Sequence, residues 1–207
     1  MIYYKDKSLE RFSKAQIKVV SELYGEAFLN HSKWKKVVLS ESRRRKVLTH
    51  LFHILNKIAN KYGDIIVVCD DDIEIGYITL VDIKDAKFSL GQIIKSNALF
   101  TCLKFLFSLK INELLKFNCF NNDLKNAYKN IDFKEKTMHL LNAGIKPEYK
   151  GQGYMSKWFR KLRVIYNDFD EILLETSESI NELIYSKVGF EVVYKKNNVT
   201  YMKLDLR

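Results

Sequence analysis

The sequence predicts a mixed α/β fold, and three observations carry that reading. Apolar residues recur at helical spacing through the first third, then give way to strand-like runs from Asp64 to Val81. A strand-like stretch, KTMHLLNAGI at Lys136 to Ile145, passes through Pro147, Gly151 and Gly153 into another helical pattern. Finally, Phe190 to Tyr194 and Val199 to Leu206 alternate on either side of KKNN and read as a closing hairpin.

The elements follow in order. Leu9 to Phe28 carries Phe12, Ala15, Val19, Leu23 and Ala27 near a helical period. Ser32 to Tyr62 continues in that style, broken near Leu39 to Ser42, where Ser40 or Ser42 is placed to cap a second helix. DIIVVCD (Asp64 to Asp70) reads as a buried strand. Asp71 and Asp72 make a turn, and IEIGYITLV (Ile73 to Val81) is its hairpin partner. Gly91 to Tyr128 is helical, so an extra helical insertion is expected at about 91–130. Tyr154 to Asp168 reads as one amphipathic helix with Met155, Trp158, Phe159, Leu162, Ile165 and Tyr166 on one side. EILLET (Glu171 to Thr176) is a short buried strand. Ser179 to Lys187 is a short helix, with Ser179 and Glu182 spaced as a capping box and Gly189 at its C-terminal cap.

The bulk numbers narrow the class. The chain has 207 residues, 47% hydrophobic and 29% charged, which fits one domain over 1–207 with a full core. The N-terminal MIYYKDKSLERF lacks an apolar run behind its lysines, so no secretory signal is expected. The most apolar stretch, Ala98 to Lys110, is too short to span a membrane and contains Lys104. Cys69, Cys102 and Cys119 are widely spaced and read as reduced, buried thiols, consistent with a cytoplasmic protein that holds no metal. The net charge of +10 is compatible with polyanion binding, but no aromatic-interleaved basic motif accompanies it, which leaves a nucleic-acid reading with charge alone.

Chemistry concentrates in GIKPEYKGQGYMSKW, Gly144 to Trp158. Three of the 8 glycines and the single proline fall there. Gly151 and Gly153, just before a helix, leave backbone N–H groups bare, and the helix start adds unpaired donors and partial positive charge. Such a turn suits a phosphate or pyrophosphate, with Lys150 as a nearby cation. It is neither a GxxxxGK[ST] loop nor a GxGxxG fingerprint, since GQGYMS lacks a third glycine.

Met138 to Tyr194 resembles the GNAT superfamily of N-acetyltransferases. A strand, a V-x-P-like turn (GIKPEY) and a [QR]-x-x-G-x-[GA]-like loop (Lys150, Gly151, Gln152, Gly153, Tyr154, Met155) precede a helix and a further strand. INELIYSKVGFEVV then supplies Asn181, Tyr185 and Gly189-Phe190 at that family's spacing. Two positions depart from the pattern: Lys150 stands for Gln or Arg, and Met155 for a small residue. Met155 either turns into the core or crowds the cofactor.

The resemblance implies a mixed central sheet with a splayed strand pair, flanking helices and a C-terminal β-hairpin. It implies acetyl-CoA as acyl donor, lying between the strand that ends at Ile145 and the strand Glu171 to Thr176. Ala143, Gly144 and Ile145 would pair with the pantetheine arm, and one of their amides would stabilise an oxyanion. The amides of Gly151, Gln152, Gly153, Tyr154, Met155 and Ser156 would hold the pyrophosphate, with Asn181 on the pantetheine. The implied reaction is direct attack of a primary amine of a small molecule or peptide, through a tetrahedral intermediate, with Tyr185 protonating the departing sulfur. His139, Glu175 and Glu74 are candidates for the base, beside a water chain. His50 and His53 lack a third ligand and read as structural. The segment 98–109 reads as a buried helix or as an interface, which leaves room for a homodimer. The competing reading is a non-catalytic CoA- or metabolite-binding sensor, favoured by Met155.

Overall fold

The computed structural model describes residues 11–71, 73–86 and 88–207. Helix α1 (Lys14–Ala27) starts at a reciprocal capping box, in which the Ser13 hydroxyl accepts from the Gln16 amide and the Gln16 side chain accepts from the Ser13 amide. The expected start at Leu9 lies outside the described residues. The buried stripe is Ile17, Val20, Ser21 and Tyr24, whereas Ala15 and Val19 face solvent. Phe12 is buried ahead of the helix, so a period counted from it does not carry into α1.

Helices α2 (Ser32–Val37) and α3 (Glu41–Tyr62) part where expected, with Ser40 in the cap position. The Ser40 hydroxyl meets Ser42 Oγ at 3.2 Å and caps no amide. The buried Arg44 holds the turns around α2, donating to the carbonyls of Leu29, Val38 and Leu39.

Strands β1 (Gly63–Asp70) and β2 (Ile73–Asp82) form the first hairpin, with Asp71 at φ 41°. Asp72 lies outside the described residues. The insertion comprises α4 (Leu90–Lys95), α5 (Leu99–Ser108) and α6 (Ile111–Tyr128). The reading of α5 as a buried helix is corrected: it buries Thr101 and Phe105, while Leu99, Phe100, Leu103, Leu106 and Phe107 are exposed. Packing on α3 occupies one stripe of a helix that is apolar all round. Of the cysteines only Cys69 is buried; Cys102 is half-buried and Cys119 exposed, and none is in a disulfide.

Strand β3 (Thr137–Ile145) runs into a 3₁₀ turn (Pro147–Tyr149). The helix expected over Tyr154 to Asp168 is two short ones, α7 (Tyr154–Phe159) and α8 (Leu162–Ile165). Tight bonds from the Lys161 amide to the Trp158 carbonyl and from Val164 to Lys161 separate them. The apolar side survives the break: Trp158, Phe159, Leu162 and Tyr166 are buried, and Met155 and Ile165 pack against them. Then come β4 (Glu171–Thr176), α9 (Ser179–Lys187), β5 (Glu191–Lys196) and β6 (Val199–Asp205). The capping box expected at Ser179 and Glu182 does not form. Glu178 is the cap residue, and the Glu182 carboxylate is taken by Lys195 Nζ at 2.7 Å and Thr200 Oγ1 at 2.9 Å. Gly189, at φ 99°, ends α9 as a Schellman cap: its amide donates to Ser186 and that of Phe190 to Tyr185. Asn197 and Asn198, both at positive φ, make the tight turn between β5 and β6.

Among the described residues, six strands form one sheet in the order β1-β2-β3-β4-β6-β5, antiparallel except for β3 beside β4. Helices α1 and α3 cover one face at the β1–β2 end, burying Tyr24, Phe52, Ile65 and Tyr77. On the same face α6 packs Ala127 against Leu173 and Tyr201. Helices α7, α8 and α9 cover the other face, with Trp158, Phe159 and Phe190 against Leu140, Ile172 and Met202. No described helix is long and apolar enough to cross a membrane.

Candidate active site

The site begins with a failure of pairing. Strands β3 and β4 are in register only from Thr137 with Glu171 to His139 with Leu173. Beyond those pairs β3 continues to Ile145 against β2 alone, and β4 continues to Thr176 against β6 alone. The edge of β3 that faces away from β2 therefore has no β4 ladder over Ala143, Gly144 and Ile145. Such an edge can pair with an extended amide-bearing chain.

A bulge shapes the same strand. Thr79 opposes Asn142 and Leu80 opposes Leu140, so Leu141 is the extra residue. The slip puts His139 and Asn142 on one face, although three positions apart they would face oppositely in a regular strand. Gly144 shares that face, where a Cβ would stand 2.7 Å from Tyr24 Cδ1. Its glycine is thus required by the seat of α1 on the sheet.

The loop after β3 opens onto the splay. Gly151 and Gly153 both sit at φ 78°, a conformation that L side chains rarely adopt, and a Cβ on either would meet nothing within 4 Å. Gly153 is the cap of α7 and offers no side chain. The amides of Gly151 to Ser156 make no hydrogen bond to a described group. A run of unpartnered donors at a helix start suits a phosphate oxygen. Tyr154 is pulled aside, its hydroxyl donating to Asp70 Oδ2 at 2.5 Å.

A polar cluster closes the mouth of the splay on the α6 side. His139 Nε2 lies 2.7 Å from Glu175 Oε2, and the Tyr128 hydroxyl donates to the same oxygen at 2.9 Å. Tyr128 Oη also lies 2.9 Å from His139 Nε2. The carboxylate can only accept, which assigns the imidazole proton to Nε2 and leaves Nδ1 with its lone pair. Nδ1 is buried and has no partner among the described residues, as is the Nδ2 amide of Asn142. Burial pushes the Glu175 carboxyl up, but His139, the Tyr128 hydrogen bond and Lys33 outweigh it and hold the group below the usual carboxylate range. Burial lowers Lys33 of α2 to about 7 against the opposing pull of Glu175.

A cleft of about 890 Å³ lies near this cluster by way of Lys33 and Thr176, though none of Tyr128, His139 and Glu175 lines it. Its walls come from α2, α6, the β4–α9 connection and the β5–β6 turn, and Lys33 and Thr176 line it beside Glu175. None of residues 150–156 reaches it, so the glycine loop and the cleft are separate regions around the splay.

No family model and no curated protein matches the chain. Solved structures do. The PaiA N-acetyltransferase of Thermoplasma acidophilum, in complex with coenzyme A, matches at 15% identity and TM-score 0.55, over 99% of both chains. Arylalkylamine N-acetyltransferase 2 of Aedes aegypti matches at 14% identity and TM-score 0.56, over 100% of this chain and 99% of that one. The C-terminal condensation domain of Ebony, in complex with beta-alanyl-dopamine, matches at 10% identity and TM-score 0.63, over 99% of this chain and 100% of that one. The fold is that of the GNAT acetyltransferases. At these identities the likeness is one of architecture, and residue roles must be argued from this chain.

Within the GNAT fold the expected residues fall into three groups. Ala143, Gly144, Ile145, Lys150, Gly151, Gln152, Gly153, Tyr154, Met155 and Ser156 run along the open edge and the loop after it. Met155 is half-buried and packs against the α7–α9 side of the core. The Gln152 amide donates to the Glu148 carbonyl at 3.0 Å within the loop. His139 and Glu175 are brought together on the α6 side of the sheet.

Asn181 and Tyr185 share one side of α9, a turn apart. The Tyr185 ring packs between Phe159 and Phe190, with centroids 5.3 and 5.6 Å away. Burial and Glu175 push its hydroxyl up to about 12. Glu74 is exposed on the first hairpin and accepts from Tyr77 Oη at 2.6 Å, away from the cluster. His50 and His53 are half-buried on α3, and no group of three metal-ligating side chains lies among the described residues.

Sequence reasoning missed Tyr128 and Lys33. Tyr128 closes the insertion and reaches Glu175 across 47 positions, and no local pattern signals such a contact. Lys33 is one of three lysines between Ser32 and Lys36, with nothing in its spacing to single it out.

Proposed function

We propose that this protein is an acetyl-CoA-dependent N-acetyltransferase acting on a primary amine of a small molecule or peptide. The observation that carries the reading is the β3–β4 splay with unpartnered loop amides at one end and the His139–Glu175–Tyr128 cluster at its mouth. Neighbours of this fold that bind coenzyme A support it.

The donor site fits the chain on its own terms. The free edge at Ala143 to Ile145 offers backbone groups to pantetheine amides. The amides of Gly151 to Ser156 and the Lys150 cation suit a pyrophosphate. Asn181 and Tyr185 bound the same opening from α9. When bound, acetyl-CoA supplies the acetyl group as an activated thioester.

The remaining work is proton handling. His139 Nδ1 holds a buried lone pair, with Glu175 fixing the tautomer and stabilising the imidazolium that results when it accepts a proton. Tyr128 holds Glu175 in place. Tyr185 stays protonated across the physiological range and is available to donate to the sulfur that departs. The Asn142 amide and a β3 backbone amide are available to an oxyanion. Met155, which favoured the sensor reading from sequence, packs into the core.

The test is release of CoA thiol from acetyl-CoA with a broad panel of primary amines. Amine-dependent thiol release supports the proposal. Binding of acetyl-CoA with no release for any amine would return the sensor reading.

A further inference from the structure

The cleft beside Glu175 has a marked charge. Five lysines line it: Lys33 and Lys36 from α2, Lys116 from α6, and Lys195 and Lys196 from the end of β5. Two carboxylates oppose them, and both are engaged. Glu182 is taken by Lys195 and Thr200, and Glu178 accepts the Ser32 amide at 2.8 Å beside His31. Lys116 donates to the Lys36 carbonyl. The ammonium groups of Lys36 and Lys196 have no hydrogen-bond or ion-pair partner among the described residues.

Like charges facing one concave space raise its potential, and low-dielectric walls focus it. An anion in the cleft relieves that repulsion; a neutral or cationic ligand does not. The hydroxyl residues Thr176, Ser177 and Ser179 add donors on the wall nearest Glu175. The volume, about 890 Å³, is that of a small-molecule site.

We propose that this cleft receives the acceptor, and that the acceptor is a small primary amine carrying an anionic group, a carboxylate or a phosphate. The amine end lies toward His139 and Glu175, and the anionic end toward Lys36 and Lys196. For the amine the proposal rests on the acetyltransferase reading above; for the anion it rests on the cleft's own charges.

Matched pairs of amines test it in two readouts. Ethanolamine against phosphoethanolamine, and hexylamine against 6-aminohexanoate, are titrated into the full chain at saturating CoA for binding, and assayed separately for acetyl transfer with acetyl-CoA as donor. The anionic member of at least one pair is expected to bind at least tenfold tighter, and that pair names the anion. The gap should narrow with added salt, because screening weakens partly exposed pairs. It should collapse toward unity in the Lys36→Gln, Lys196→Gln double variant and recover with arginine at both positions. Both side chains are exposed, and circular dichroism checks that the variants fold. Equal binding within both pairs, or a gap that the double variant leaves intact, overturns the proposal. Tighter anion binding without acetyl transfer keeps the anionic cleft and removes the enzyme reading. Transfer to neutral amines with the same kcat/KM as their anionic partners keeps the enzyme and removes this proposal.

Discussion

His139 and Glu175 meet at 2.7 Å across the place where β3 and β4 stop pairing. His139 occupies the last register position of β3, and Glu175 stands two residues past its partner Leu173. The side chains bridge a gap that the backbones leave. Glu175→Gln should lower turnover by roughly 10²-fold or more, the size of a positioned acid–base contribution, with acetyl-CoA binding retained. The substitution also bears on stability. A carboxyl held below its ordinary pKa contributes stability that is present above the ordinary value and lost as pH falls. Glu175→Gln should therefore cost about 1–3 kcal/mol in denaturant titrations at pH 7, and the difference should shrink in acid.

Tyr185→Phe separates chemistry from packing. The ring stays between Phe159 and Phe190, so unfolding should shift by less than about 1 kcal/mol. Turnover should fall at least tenfold while calorimetry shows unchanged acetyl-CoA affinity. Unchanged turnover would make Tyr185 a residue of the α9 cap and nothing more.

Lys33 predicts a pH window. Its group is depressed to about 7 from an ordinary value of 10.5, so the folded state pays nothing only above the ordinary value. Stability is lost as pH falls from about 10.5 to about 7, and no further below that. Lys33→Met should raise the Tm at pH 7, and its advantage over the parent should shrink by pH 9.5. An advantage that does not change across this window would contradict the assignment. The half-exposed side chain keeps the effect smaller than full burial would give.

Tyr128→Phe tests whether the insertion serves the site. Loss of the hydroxyl leaves the ring against Tyr201, with centroids 5.7 Å apart, and removes the donor to Glu175. We expect turnover to drop and the pH–rate profile to move, because Glu175 loses one of the bonds that hold it ionised. A profile identical in shape and height would reduce Tyr128 to packing.

Much of this was legible in the sequence where the signal is local. The β1–β2 hairpin, the Gly151–Gly153 loop, the Gly189 cap and the paired asparagines of the last turn each announce themselves within a few residues. The candidate bases His139 and Glu175 are legible in the sequence, but not their contact, which depends on the Leu141 bulge and on how far β4 diverges. The face of α1 was misread because Phe12 packs from outside the helix. The break between α7 and α8 has no Pro or Gly to mark it, and the exposure of Phe107 follows from what does not pack on α5.

The most direct test is a calorimetric titration of acetyl-CoA into the parent and into Gly153→Ala. At φ 78° the alanine carries about 1–2 kcal/mol of backbone strain, and its Cβ enters the space before α7 that is open in the parent. The account expects saturable one-to-one binding to the parent and affinity at least tenfold weaker in the folded variant. No binding to the parent up to about 1 mM, or equal binding by both, would contradict it.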